Sequence, residues 1–345
     1  LEDLMYFYNK IFRGLRIPRS FVDATSEGGG VANDGKVGIG TTGSINASLD
    51  VLGVANIHNG TRFAILNYNL NPGSLIIGSS GLNYGGGTNW KQIKVTDNFS
   101  AAIKTDGTLW TWGQNNAGEL GIGNVTNYSS PKQVGLLTNW LNVSGGYFNA
   151  LAVKTNGTLW AWGANGQGAL GLGNTTSVSS PVQIGSLTAW NSIYSGGYNS
   201  LSIKTDGTLW SWGANDVGQL GLGNTTYYSS PKQVGSLTTW SKISGGLYHA
   251  LAIKTDGTLW TWGRAQFGAL GLGNTTNVSS PVQIGTLTTW LSASGGRNHT
   301  SAIKTDGTLW SWGYNYFGNL GLGNTTNVSS PVQIGALTNW ISLTV

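Results

Sequence analysis

The chain has 345 residues, of which 55 are Gly and 16 are Trp, with no Cys and only 9% charged residues. Enough aromatic and β-branched residues are present to bury a core, which excludes a disordered chain, and no apolar run reaches the length of a membrane-crossing helix. The missing Cys excludes a disulfide frame and thiol chemistry. A net charge of +5, with lysines spread at one recurring position instead of clustered, argues against a nucleic-acid partner.

Residues 1–27 read as an amphipathic arm. Leu4, Phe7, Tyr8, Ile11, Phe12 and Leu15 fall at helical spacing and form one apolar stripe. Pro18 limits this helix, and Gly28-Gly29-Gly30 ends regular structure after it. A single short helix cannot bury such a stripe alone, so these six residues are the expected assembly contacts with another chain. Arg13, Arg16 and Arg19 follow the apolar residues, the reverse of a secretory leader. Residues 28–53 read as a Gly-rich linker and a fibre-like segment.

From Trp90 a fifty-residue unit is written five times, restarting at Trp140, Trp190, Trp240 and Trp290. A period of this size predicts stacked or radial supersecondary units. In the second copy, LNVSGG reads as a strand ending in a Gly pair, NALAVK as a second and TLWAWG as a third. The Asn156-Gly157 turn between the last two stands where the other copies carry Asp-Gly, and both dipeptides suit a type I′ turn. A Gly-rich loop follows, then an outer strand with Pro181 at its start. Four short antiparallel strands, apolar on both faces, describe a propeller blade. The paired tryptophans, such as Trp110 and Trp112, lie on one face of their strand and are expected to pack between blades.

The final residues Asn339–Val345 repeat the pattern of Asn89–Val95, so a further unit begins at Trp340. Upstream, Asn59-Gly60-Thr61 followed by RFAILN is a decayed form of the hairpin at Asp106-Gly107-Thr108. The expectation is an all-β domain over residues 54–345: a propeller of six blades, five continuous and one composite blade closed by both termini. A seven-bladed ring with its last part absent is the alternative. Such closure would remove two open sheet edges.

The pattern W-x-x-(I/V)-S-x-G, ALAIKTDGTLWTWG, GxLGLGN and PVQIG, carried by all copies from Trp90 to Val345, resembles the RCC1 (regulator of chromosome condensation) repeat. The resemblance implies the propeller fold and, through exchange-factor members of the family, a GTPase as one alternative partner. This chain departs from those members in having nearly identical copies, no inserted wedge and no acidic run. KVGIGTTGSINASLDVLGVANI at Lys36–Ile57 resembles segments of phage tail fibres, and the first twenty or so residues are similar to a stretch of portal proteins of contractile-tailed phages. Both imply a virion.

Catalytic machinery is not evident. His58, His249 and His299 are too isolated for a metal cluster, and the recurring Asp of the hairpins is explained by turn geometry. GLGxGN lacks the Lys and helix of a phosphate loop and recurs in every copy. The Asn-Thr-Thr sequons are a product of repetition. No catalytic residue, metal or cofactor is expected.

The copies differ mainly at two loops, one between the first and second strands and one after the third. In an antiparallel blade both lie at the same end, opposite the constant Asp-Gly hairpins and their lysines. Exposed loops on a rigid scaffold are where binding residues gather. The candidates are Tyr147, Phe148, Tyr198, Tyr248, His249, Arg264, Phe267, Arg297, His299, Tyr314, Tyr316 and Phe317. Aromatic residues with Arg and Asn suit a sugar or protein surface. The expected function is that of a non-enzymatic virion structural protein, a tail-fibre or receptor-binding component that adheres to a host glycan or protein. Its arm would join other virion proteins, with a homo-oligomer such as a trimer as the assembled state. A bacterial surface or secreted RCC1-repeat lectin is the alternative, and a guanine-nucleotide exchange factor a third.

Overall fold

The computed structural model describes residues 90–343 throughout and, upstream of them, the backbone of short strands. The arm residues Leu4 to Leu15 lie outside the described residues, as do His58 and most of the fibre-like segment. The chain divides into two units, 1–88 and 89–345.

Among the described residues, the first unit holds three antiparallel hairpins. β1 (Gly30–Val31) pairs with β2 (Val37–Gly38), β3 (Val54–Asn56) with β4 (Phe63–Ile65), and β5 (Leu75–Gly78) with β6 (Gly81–Tyr84). The β3–β4 pair is the hairpin read from the decayed copy of the repeat.

The second unit is five consecutive four-stranded blades, each a meander of antiparallel neighbours. Blade 1 is β7 (Thr88–Val95), β8 (Phe99–Lys104), β9 (Leu109–Gly113) and β10 (Tyr128–Gln133). Blade 2 is β11 (Trp140–Gly145), β12 (Asn149–Lys154), β13 (Leu159–Gly163) and β14 (Val178–Gln183). Blade 3 is β15 (Trp190–Ser195), β16 (Asn199–Lys204), β17 (Leu209–Gly213) and β18 (Tyr228–Gln233). Blade 4 is β19 (Trp240–Gly245), β20 (His249–Lys254), β21 (Leu259–Gly263) and β22 (Val278–Gln283). Blade 5 is β23 (Trp290–Gly295), β24 (His299–Lys304), β25 (Leu309–Gly313) and β26 (Val328–Gln333).

Both faces of a blade are apolar because each meets a neighbour. In β12 the side chains alternate: Ala150 and Ala152 belong to the core shared with blade 1, Leu151 and Val153 to the core shared with blade 3. The small residues leave room for the tryptophan of the same face. Trp162 is fully buried, its Nε1–H donating to the Glu119 carbonyl of blade 1 at 2.8 Å. Trp212, Trp262 and Trp312 make the same bond to Ala169, Gln219 and Ala269 at 2.8, 3.0 and 2.9 Å. The partner blade offers a glycine directly beneath each ring. A Cβ on Gly121, Gly171, Gly221 or Gly271 would stand 2.7–2.9 Å from the indole nitrogen, and each adopts a positive φ. The expected packing of tryptophans between blades is therefore present in detail.

The hairpin turn differs from the expected type I′. Asp106 and its equivalents do not have positive φ; only Gly107 does. Gly107 N–H bonds to Lys104 O and Lys104 N–H to Thr108 O, each at 2.9 Å, which is a type I turn closed by a left-handed glycine bulge. Asp106 Oδ1 accepts from both Thr108 N–H and Thr108 Oγ1, and Thr108 Oγ1 accepts from Trp110 Nε1. Asp-Gly was chosen for this relay and not for two positive φ values. Pro181 also lies elsewhere than expected. It sits inside β14, at the register shift opposite β13, where a missing N–H breaks no ladder bond.

The composite blade is not formed among the described residues. Trp340–Leu343 carry no strand, and Trp340 is 39% exposed where Trp140, Trp190, Trp240 and Trp290 are buried. Each of those pairs with a Lys of its own second strand, as Trp140 does with Lys154.

Candidate functional site

The two variable loops of each blade lie at one end and are bonded to each other. Gln114 N–H donates to Asn98 O, Ala164 N–H to Phe148 O, Ala214 N–H to Tyr198 O, Arg264 N–H to Tyr248 O and Tyr314 N–H to Asn298 O, all at 2.8–2.9 Å. In every blade a backbone bond thus ties together the two loops that carry the residues that vary. The opposite rim is constant. There Lys154 lies 3.4 Å from the Trp160 ring centre and 4.9 Å from that of Trp140, and the arrangement recurs at Lys104, Lys204, Lys254 and Lys304. Burial against these rings lowers the ammonium pKa at Lys154, Lys254 and Lys304.

Within the loop rim the structure joins some candidates and separates others. Arg264 stands over the Tyr248 ring at 5.1 Å. On the same loop, Phe267 packs on Tyr314 at 4.9 Å, and Tyr314 continues to Tyr316 at 6.4 Å and Phe317 at 6.2 Å. Arg264 and Phe267 line an open hollow of about 650 Å³ with Gln266, Thr275, Asn277, Asn327 and Ser329. Tyr147 and Phe148 pair separately at 5.0 Å, and Phe148 lines a second hollow of about 360 Å³ with Tyr198, which is 36% exposed. Arg297 is exposed. Tyr316 and Phe317, at 67% and 78%, are the most exposed of the aromatic candidates.

His249 needs correcting. It is 1% exposed, and its Nε2 lies 3.0 Å from Thr300 Oγ1 of the next blade, which itself donates to Ala269 O. It is interblade packing, not a surface ligand. Burial, with a smaller contribution from His299, pulls its pKa down to about 4. His299 is partly buried, and desolvation lowers its pKa as well.

The residue that shapes the larger hollow was not among the candidates. In four blades an Asn follows the first rim position, at Asn115, Asn165, Asn215 and Asn315. Asn165 Nδ2 donates to Asn174 O and Thr176 O while its Oδ1 accepts from Leu170 N–H, so one buried amide clamps the whole loop. Blade 4 has Ala265 instead. Without the clamp the loop forms a short 3-10 turn at Gln266–Gly268, and Phe267 takes φ 60°, a left-handed conformation that is costly for an aromatic residue. The signal was visible in the sequence as the one copy with Ala at this position.

Among the described residues no group of three or more His, Asp or Glu could hold a metal ion, and no helix is long and apolar enough to cross a membrane. A family model described as an RCC1-like domain matches residues 30–345. The yeast protein Prp20p from Saccharomyces cerevisiae, described with its binding to Gsp1p and histones, is similar at a TM-score of 0.66 and 24% identity, over 72% of this chain and 64% of that one. Human WBSCR16 is similar at 0.65 and 21% identity, over 72% and 68%. The X-linked retinitis pigmentosa GTPase regulators of Canis lupus familiaris and Homo sapiens are 48% and 46% identical over 44 residues. That match spans 13% of this chain and only 4% of either regulator.

Proposed function

We propose, for a chain that belongs to the RCC1-like domain family, a non-enzymatic binding module whose loop rim takes a carbohydrate. The observation that carries this reading is the break in the repeat at Ala265. The loop that blades 1, 2, 3 and 5 clamp lacks its amide in blade 4, and there it holds Phe267 at a left-handed φ beside a hollow lined by amides and hydroxyls. Strain of about 1–3 kcal/mol persists where surrounding structure enforces it, commonly at ligand sites. An aromatic face with converging Asn, Gln, Ser and Thr is the chemistry that recognises sugar rings.

The setting we propose is a phage tail-fibre or receptor-binding component of a virion, with the arm residues joining other virion proteins. It rests on the likeness of Lys36–Ile57 to fibre segments, and a bacterial surface lectin would use the same rim. The test is a glycan array probed with the full chain. Binding that drops at least tenfold in the Phe267→Ala/Tyr314→Ala double variant supports the reading, and an array with no specific signal overturns it. The exchange-factor reading is addressed by nucleotide release from a small GTPase, where no acceleration is expected.

A further inference from the structure

Of the residues that line the hollow between the blade 4 and blade 5 loops, only Arg264 is charged, and no Asp or Glu lines it. The other copies place Gln114, Ala164, Ala214 and Tyr314 at this position, so the charge belongs to blade 4 alone among the five. From Gly257 to Val345 the sequence holds one acid, Asp306. It sits in the constant hairpin of the opposite rim, where it accepts from Thr308. On the blade 3 loop, Asp216 is taken by the Tyr227 hydroxyl. Among the described residues Arg264 therefore has no carboxylate partner. Its backbone N–H is fixed on Tyr248 O at 2.9 Å, and its guanidinium lies 5.1 Å from the centre of the Tyr248 ring. A ring against one face leaves the N–H edge, the side that forks onto a carboxylate, for an incoming group.

The neutral lining is biased towards donors. Asn277 Oδ1 accepts from Ala265 N–H at 2.9 Å, and Asn327 Oδ1 accepts from Asn315 N–H at 2.7 Å. A backbone N–H must face an acceptor, so each amide turns its oxygen to the loop. Among the described residues neither NH2 group has a protein partner. The Thr275 and Ser329 hydroxyls can donate as well. A neutral sugar presents hydroxyl donors together with acceptors, and no carboxylate here takes those donors. One guanidinium with an excess of N–H groups instead matches oxygens that bear negative charge.

We propose that the saccharide held at this rim is an acidic one. Its carboxylate pairs with the edge of Arg264 and accepts an amide N–H from Asn277 or Asn327, while its ring lies on Phe267. The inference rests on the carbohydrate reading and narrows it to sugars that carry a carboxylate, whether uronic or sialic acids.

Titration calorimetry on the full chain tests this with hyaluronan oligosaccharides and sialyllactose, each against its methyl ester. At least one acid is expected to bind, with its ester weaker by about tenfold or more, since a charge-assisted pair is lost. Raising the ionic strength is expected to weaken the acid and leave the ester unchanged. Arg264→Gln, folded by circular dichroism, is expected to bind acid and ester alike, and Arg264→Lys to keep only part of the preference. The two probes tell a uronate from a sialate. Equal binding of acid and ester by the wild type overturns the proposal, as does a preference that survives in Arg264→Gln. Oligoglutamate binding as tightly as either saccharide also overturns it, and makes the partner an acidic protein. Binding confined to neutral glycans, and lost in Phe267→Ala/Tyr314→Ala, overturns this inference while the carbohydrate reading stands. Failure to bind any saccharide overturns both.

Discussion

The interblade seams and the loop rim belong to the same blades and obey opposite rules. At the four described seams the same contact repeats: an indole over a glycine, donating to a carbonyl one blade back. Along the rim the backbone bonds recur, but the side chains change from Gln114 to Ala164, Ala214, Arg264 and Tyr314. A position is held constant where its neighbour is another copy of the repeat. It is released where the backbone alone provides the scaffold.

The strongest way to break this contrast is at a seam. Trp262→Ala removes a fully buried ring and leaves the Gln219 carbonyl without its donor, and a loss of about 3–5 kcal/mol is expected in chemical denaturation. His249 tests the boundary between the two regions, since it belongs to the rim in sequence and to the seam in space. Its folded pKa of about 4 lies below its ordinary 6.5, so its neutral form supports the fold above pH 6.5 and that support is lost as pH falls towards 4. The expected decline is about 3 kcal/mol at most. A His249→Gln variant should flatten the stability curve in that window, while the turn aspartates, whose pKa values are held below 3.8 by Thr hydrogen bonds, act at lower pH.

Smaller effects sharpen the comparison within the rim. Asn215→Ala leaves the carbonyls of Asn224 and Thr226 without its amide and should cost about 1–3 kcal/mol. The converse, Ala265→Asn, should raise the melting temperature while weakening carbohydrate binding, because it restores the clamp that blade 4 lacks. Tyr198→Ser, on the exposed rim, should change stability by less than about 0.5 kcal/mol.

The repeat made most of the fold legible. Its period placed twenty strands and put both variable loops on one rim. The turn type was misread because Asp-Gly suits two geometries, and the choice is made by the Thr108 and Trp110 side chains that follow. The glycine cradles escaped notice because each is completed by a residue about forty positions away in the next copy. His249 looked like a rim residue because it adjoins Tyr248. The alternation of β20 turns it inwards, and the packing of the next blade brings Thr300 to its ring. Ala265 was readable as a departure from Asn, yet its meaning depended on knowing that the amide spans a whole loop.

The tryptophan-to-glycine seam also has a mechanical consequence. Blades 2 to 5 each lean on the one before through the same latch, so tension applied along the array should not melt it all at once. A pulled molecule would yield in a sawtooth of nearly equal events, each releasing fifty residues, or roughly 170 Å of slack chain.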